Sequence, residues 1–468
     1  MLLDIFKREI RDHLTSLRLI LTFSLVLILM GANAFMFDAE YKRQLVDLNL
    51  EQNRALADLG QQISSPYPLM TALSWGMQRV HRRPNPAAFI AEGHDRDLPN
   101  SFSVNGFKIE GPAFTLRSNP MLWRFDSLDW AFIVAVILSF AAIVLTYDSI
   151  NGEKERGTLR LLMSNSVPRE KVLLGKYFAA VVVLVLPLLA GVLLNLMILT
   201  SGGAIRLNLD LAGKLGVSLA LCILYLSFFV LLGMFLSARM RQPVASLITG
   251  LLIWVSAVIV IPAAGNLLAR GFVKIPPQDR VQEEAERAWD EAKANYDRAR
   301  PHPDNWIISG GWSPGEPLLR AFEVWRAHDR VVRQYEDLQV DQVRLGKKIA
   351  RISPAALFSE TLEEIAETGV FHYRNFLDEI RRYREALGQY VSGKFPFDPA
   401  TPLRNDPKVD QFMETMKLDF DSVPKFEDHF APAAETSRQA LGKAGILALI
   451  NLVLFAAAYV SFLRYDVR

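Results

Sequence analysis

The sequence predicts a mainly α fold: a polytopic membrane protein with six transmembrane helices, an N-terminal interfacial helix and a largely helical extracytoplasmic domain made from two inserts. Three observations carry this. Six apolar runs each come close to the ~20 residues that a helix needs to cross a bilayer. Basic residues cluster beside alternate ends of those runs, the asymmetry expected of cytoplasmic loops. More than half of the 468 residues lies outside the runs, in two long polar stretches. The composition agrees, with 51% apolar residues and a formal net charge of +2. That near-neutral balance excludes a dedicated nucleic-acid binder, which carries a concentrated basic field. The single cysteine, Cys222, lies in an apolar run, so it forms no intrachain disulfide and reads as a small buried residue.

Residues 1–16 form the interfacial connecting helix. Leu2, Leu3, Phe6, Ile10 and Leu14 recur at helical spacing, with Asp4, Lys7, Arg8, Arg11 and Asp12 on the other faces. Such a helix lies in the membrane plane and turns into the first span at an elbow. The first span covers 17–37. Ala32-Asn33-Ala34 has the form of a signal-peptidase site, but the region before the apolar run is long, amphipathic and charged in both signs, so the span is read as retained. The first extracytoplasmic insert, 38–129, opens with a helix over 39–62 that extends span one outward. A region rich in Pro, Gly and Asn follows from 64 to 120 and predicts loops and short strands.

Span two covers 130–147, a basic loop covers 148–176, and spans three, four and five cover 177–199, 215–236 and 244–264. Pro187 in span three predicts a kink or a local weakening of that helix. The second insert, 265–444, predicts helices over 278–300, 318–351, 355–369 and 371–390, with Ser353-Pro354 as a cap and first-turn signal. Residues 393–432 read mostly as loop, and span six covers 445–463. The two inserts emerge beside the same bundle and are expected to pack together. Lys7, Arg8, Arg11 and Arg18 precede span one, Arg239 and Arg241 separate spans four and five, and Arg464 and Arg468 end the chain. Six spans put these groups on one side with the basic loop, so both termini are expected in the cytoplasm.

The spans hold few polar residues. Asn33, Asn195, Tyr225, Ser227 and Asn451 suit either interhelical hydrogen bonds or substrate contact. No Asp, Glu, Lys or Arg falls near a span midpoint, which argues against an ion-driven pump. Gly-Lys pairs occur at Gly175, Gly213, Gly346, Gly393 and Gly442, but Ser or Thr never follows, so there is no P-loop. HExxH, GxSxG and cysteine clusters are also missing, and the chain is not expected to be an enzyme. His94 beside Asp95 and Asp97, and Asp428-His429, are the best local metal candidates. Both read as solvated loop residues, and no metal site is assigned. The carboxylates of the 280s and 360s read as solvated helix faces with i,i+4 pairing.

The segment from Asp148 to Ala179 is the most informative. Lys154, Arg156, Arg160, Arg169, Lys171 and Lys176 put six cations on one short connection. Leu159, Leu162 and Met163 share one face of a helix, and a buried partner is needed to cover it. The order Glu153-Lys154-Glu155-Arg156-Gly157-Thr158-Leu159, followed by Leu162, Ser164, Val167 and Arg169, resembles the coupling loop of the type-two ABC exporter permeases. Phe6-Lys7-Arg8-Glu9-Ile10 resembles that family's connecting helix. The chain departs from the compact members in its two large inserts. Residues 352–357 and 371–376 resemble a bacterial subgroup whose outer insert has no assigned function.

The resemblance implies a permease in a bacterial cytoplasmic (inner) membrane. It implies ABC ATPase subunits as partners, and a second permease copy or a related permease to complete a dimer. ATP and magnesium would be bound by the ATPase, with no cofactor in this chain. Leu159, Leu162 and Met163 would supply the apolar docking contact. Glu153 and Glu155 would pair with basic groups on the ATPase, and Lys154, Arg156 and Arg160 would face acids or lipid phosphates. Gly157 would allow the tight turn and Thr158 would cap the helix. Three functions follow in order: transport, in the sense of export; force transmission to the outer domain without passage of substrate between the spans; and ligand reception. The outer inserts leave room for an extracytoplasmic partner protein.

Overall fold

The computed structural model describes residues 2–65, 68, 76–93, 98–111, 128–160, 168–299, 315–394, 411–412 and 415–464. Helix α1 (Leu2–Leu14) precedes α2 (Leu17–Ile63), whose first turn is capped where the Leu19 N–H donates to the Ser16 hydroxyl at 3.3 Å. Three short strands follow, β1 (Gln78–His81), β2 (Ser101–Val104) and β3 (Ile109–Glu110), in an antiparallel sheet with Gln78 opposite Val104 and Val104 opposite Ile109. Helix α3 covers 130–146 and is π-helical over Ile133–Leu138. It starts at Asp129, whose carboxylate accepts from the Phe132 N–H at 2.7 Å.

Helix α4 (Asn151–Glu155) is one short turn. Helix α5 (Arg169–Gly202) passes through Pro187 as a single helix, and α6 (Leu209–Arg239) is capped by Asn208. Helix α7 (Pro243–Phe272) is π-helical over Ser256–Val260. The second insert holds α8 (Gln278–Ala299), α9 (Gly315–Ala350), α10 (Pro354–Ala366) and α11 (Val370–Lys394). Helix α12 (Ala433–Leu463) ends the described chain. Six helices, α2, α3, α5, α6, α7 and α12, are long and apolar enough to cross a membrane. Their shared end, with α1, the turn after α3 and the α6–α7 turn, carries the cations and is called the basic end; the inserts lie at the distal end.

The expected outward extension of span one is literal. The apolar run and the polar helix beyond it form one 47-residue α2, about 70 Å long at ~1.5 Å per residue. Small residues set the packing of the spans. A Cβ at Gly191 would stand 2.8 Å from Met30 Cγ on α2, and one at Gly233 would overlap the Thr146 hydroxyl on α3. The polar residues inside the spans join helices to one another. Asn195 donates to Met30 O at 2.9 Å and to Asn33 Oδ1 at 2.7 Å, and Asn33 donates to Leu128 O at 2.6 Å. Tyr225 donates to Ala135 O at 3.0 Å, inside the π-helical part of α3. Tyr177 and Ser227 meet at 2.7 Å, and Asn451 donates to Leu224 O at 3.2 Å. Each bond satisfies a group that lipid could not.

The two inserts share one distal core. Leu59, Val80, Phe102 and Val104 of the first pack with Val340, Val343, Tyr373, Phe376 and Ile380 of the second. Helix α10 departs from the expectation of a wholly external insert. It lies within the core of the spanning helices, where Ala355, Leu357, Phe358, Leu362 and Ile365 are buried. Ser353 caps it as expected, accepting from the N–H groups of Ala355 and Ala356. The carboxylates of the 360s are not a solvated face. Glu360, Glu363 and Glu367 are buried and ion-paired, since burial among apolar side chains obliges each to find a cation.

His372 on α11 is buried and stacked on Phe430. Burial, with the nearby cations Arg82 and Lys214, pushes its pKa down to about 3. The folded state therefore keeps it neutral while the unfolded chain takes up a proton below about pH 6.5, so its contribution is intact above that pH and is lost as pH falls, at about 1.4 kcal/mol per unit. In thermal melts between pH 7 and pH 4.5, His372→Phe should flatten the acid-side loss of stability relative to wild type; parallel curves would refute this. A second expectation concerns packing. Gly233→Val should cost about 1–3 kcal/mol by overpacking, whereas Gly216→Val, where a Cβ meets nothing within 4 Å, should leave the melt nearly unchanged.

Candidate functional site

The basic end is built around a turn that the bundle holds in place. Asn151, at the start of α4, is fully buried. It accepts from Ser237 Oγ at 2.9 Å and donates to Ser246 Oγ at 2.7 Å. Ser237 Oγ in turn accepts from the backbone N–H groups of Ile150 and Asn151. Ser237 ends α6 and Ser246 begins α7, so the turn after α3 is fixed to the α6–α7 connection.

A second tie joins the turn to α1 and α5. Lys176 Nζ lies 2.7 Å from Glu9 Oε1 and 2.9 Å from Glu153 Oε1, with only 4% of its side chain exposed. One cation thus holds a carboxylate of the connecting helix and one of the turn. Gly175 beside it allows the close approach of α1, since a Cβ there would stand 2.9 Å from Ile5 Cγ2. Arg18 spans the elbow. It contacts Asp148 at 3.3 Å, donates to Tyr147 Oη at 2.9 Å and lies over the Tyr147 ring. Arg169, at the start of α5, donates to the carbonyls of Phe462 and Leu463 at 2.7 Å each, where a cation favours the helix C-terminus.

These contacts reassign several residues of the expected coupling site. Glu153 is buried and paired with Lys176, so its charge is satisfied within the chain rather than offered to a partner. Leu159 is fully buried in the main core, because the helical turn at 158–160 rests its apolar side on the bundle. It is not an exposed docking residue. Thr158 donates its hydroxyl to Glu153 O at 3.2 Å instead of accepting at a helix start. Gly157 has φ +76°, the left-handed conformation that the tight turn needs and that glycine adopts without strain. Lys154 is half-buried, while Glu155, Arg156, Gly157 and Arg160 are exposed. Leu162 and Met163 lie outside the described residues.

The sequence marks Lys176 only as a loop cation and does not reveal its partner Glu9, nor Asn151, Ser237 and Ser246, which fix the turn. A lysine directly after a glycine, at the head of an apolar helix, was the available signal. Of the metal candidates, Asp428-His429 carries no ligand set among the described residues. His94, Asp95 and Asp97 lie outside the described residues. Asp428 accepts from the Arg83 N–H at 2.8 Å, and His429 faces Glu427 at 3.4 Å. No group of three or more His, Cys, Asp or Glu side chains is placed to hold a metal among the described residues. A distal cleft of about 1210 Å³ lies between α2 and the first insert. Its described lining mixes arginines, among them Arg43, Arg79 and Arg83, with carboxylates such as Glu40, Asp47 and Glu51, and so selects no ligand charge.

Removing Lys176 strands two carboxylates. Lys176→Met should cost about 3–5 kcal/mol of stability, while Lys171→Met, at an exposed position, should stay within about 0.5 kcal/mol. Thermal unfolding of the full chain in detergent distinguishes them, and equal losses would contradict the assignment.

Comparison with known proteins agrees with this architecture. The family model described as ABC-2 family transporter protein matches residues 3–467, which takes in the connecting helix, all six spans and both inserts. A search of curated proteins finds no match. The chain belongs to the ABC-2 family of transporter proteins.

Proposed function

We propose that this chain is the permease subunit of an ATP-binding-cassette exporter in a bacterial cytoplasmic membrane, with the basic end and both termini in the cytoplasm. Separate ATPase subunits bind ATP and magnesium and dock on that end. Family membership supports the partner class. The observation that carries the docking site is the tie at Lys176, which joins α1, α5 and the turn after α3 into one support. A load applied to the turn would reach α5 through Lys176, and α6 and α7 through Asn151.

Within this reading the expected residues divide their work. Glu153 and Leu159 anchor the turn from inside, and Gly157 and Thr158 shape it. Lys154, Glu155, Arg156 and Arg160 form the rim that meets the ATPase. Leu162 and Met163 supply its apolar contact. A second copy of this chain, or a related permease, completes the transporter. Force transmission to the distal domain is the second reading, and it is favoured by the position of α10 inside the bundle.

The test separates the rim from the anchor. The triple variant Glu155→Lys, Arg156→Glu and Arg160→Glu changes only exposed residues. It should abolish co-purification of the ATPase subunit, or lower permease-stimulated ATP hydrolysis by about tenfold or more, with a melt within about 0.5 kcal/mol of wild type. Undiminished stimulation would place docking elsewhere. Leu159→Asp should instead unfold the chain, since it buries an unpaired charge.

A further inference from the structure

We infer that α9 and α10 form a re-entrant hairpin that clasps the distal half of the helix bundle, so that the distal helices move as one body with α6 and α12. The inference is independent of which ATPase docks at the opposite end.

The depth of the hairpin comes from its partners. The Ser353 hydroxyl donates to Ala257 O, in the π-helical part of α7. Ala257 lies seven residues inside the distal end of the apolar run at 244–264, about 10 Å below it. Phe358 stacks on Tyr225 near the middle of α6, with ring centroids 4.2 Å apart and planes inclined by 15°. Leading down to this point, α9 packs along the distal end of α7. A Cβ at Gly265 would lie 2.9 Å from Gly346 O, so glycine permits the approach. The chain therefore descends along α7, turns at 351–353 and returns as α10 between α3, α6, α7 and α12.

The hold is ionic as well as apolar. Glu360 pairs with Arg351 of the α9–α10 turn through two hydrogen bonds, at 2.9 and 3.0 Å, and with Lys443 of α12 at 2.8 Å. Glu363 pairs with Lys347 of α9 at 2.6 Å, Glu364 with Lys443, and Glu367 with Lys214 of α6 at 2.6 Å. Three carboxylates of α10 and that of its C-cap residue thus meet four cations drawn from α6, α9, α12 and the α9–α10 turn. The first insert closes the far end. Asn85 donates to the carbonyls of Ala366 and Glu367, and Thr368 donates to Ala91 O. Glu367 holds φ 55°, a left-handed conformation that a non-glycine residue keeps only when its surroundings fix it.

Ion pairs of this kind are costly to break one partner at a time, because each loss strands a buried charge. Sliding α6 or α12 past α10 would break Lys214–Glu367 or both Lys443 pairs, so these helices and the hairpin are expected to open together. The same packing places α10 on any route between α3, α6, α7 and α12. Substrate passing there would have to displace the hairpin first.

Hydrogen exchange with mass spectrometry on the full chain in nanodiscs tests this without an ATPase. Lys443→Met strands Glu364 and leaves Glu360 with Arg351 as its remaining ion pair. It should raise exchange by about tenfold or more in 354–366, and in step in 340–350 and the distal turns of α6 and α12, as one cooperative unit. The turn around Asn151 should be unchanged. Adding Glu364→Gln to Lys443→Met should restore part of the protection. If Lys443→Met does not fold, Phe358→Leu removes the stacking without a charge change and should open the same segments together. Faster exchange confined to 354–366, or unchanged exchange in all of them for a folded variant, would overturn the clasp.

Discussion

A charge taken out of water must find an opposite charge, and this chain meets that requirement at both ends of its helix bundle. At the basic end one lysine satisfies two carboxylates. At the distal end four cations satisfy four carboxylates on α10 and its C-cap. The bundle between them is held by small-residue contacts and by hydrogen bonds between helices, since lipid offers no hydrophobic drive for helices to associate. The ionic centres therefore fix which helices move together, and the neutral middle leaves room for them to move.

The six spans, the connecting helix, the outward extension of α2 and the Ser353 cap were legible in the sequence, because length, period and cap chemistry are local properties. The surroundings of the charges were not. Glu360, Glu363, Glu364 and Glu367 have the spacing of a solvated helix face, and nothing local distinguishes water from Lys443 as their neighbour. Leu159 was rightly read as apolar and needing cover, but the cover is the chain's own core. Tertiary burial decided both cases, and periodicity does not encode it.

A better signal lies in the Gly-Lys pairs. Four of the five Gly-Lys pairs carry cations of these ionic centres, Lys176 and Lys214 buried and Lys347 and Lys443 half-buried. As phosphate-binding motifs they fail for want of a following hydroxyl. As packing devices three of them work, because Gly175, Gly213 and Gly346 face Ile5, Ala433 and Ala269 with space only for a hydrogen atom or a slight shift. The neighbouring helix can then come close enough to shield the lysine stem. Gly442 faces open space, and its lysine is shielded by α10 instead.

The unbroken course of α2 makes it a lever. From the centre of its apolar part to Ile63 the distal arm is about 54 Å long, counted at ~1.5 Å per residue. A tilt of about 5° at the membrane centre would sweep the tip by about 5 Å, if the rod stays straight. The short arm lies near Arg18 at the elbow, and the long arm reaches Leu59 in the distal core. A displacement too small to open a passage between helices at one end is, at the other, as large as the spacing between two β-strands.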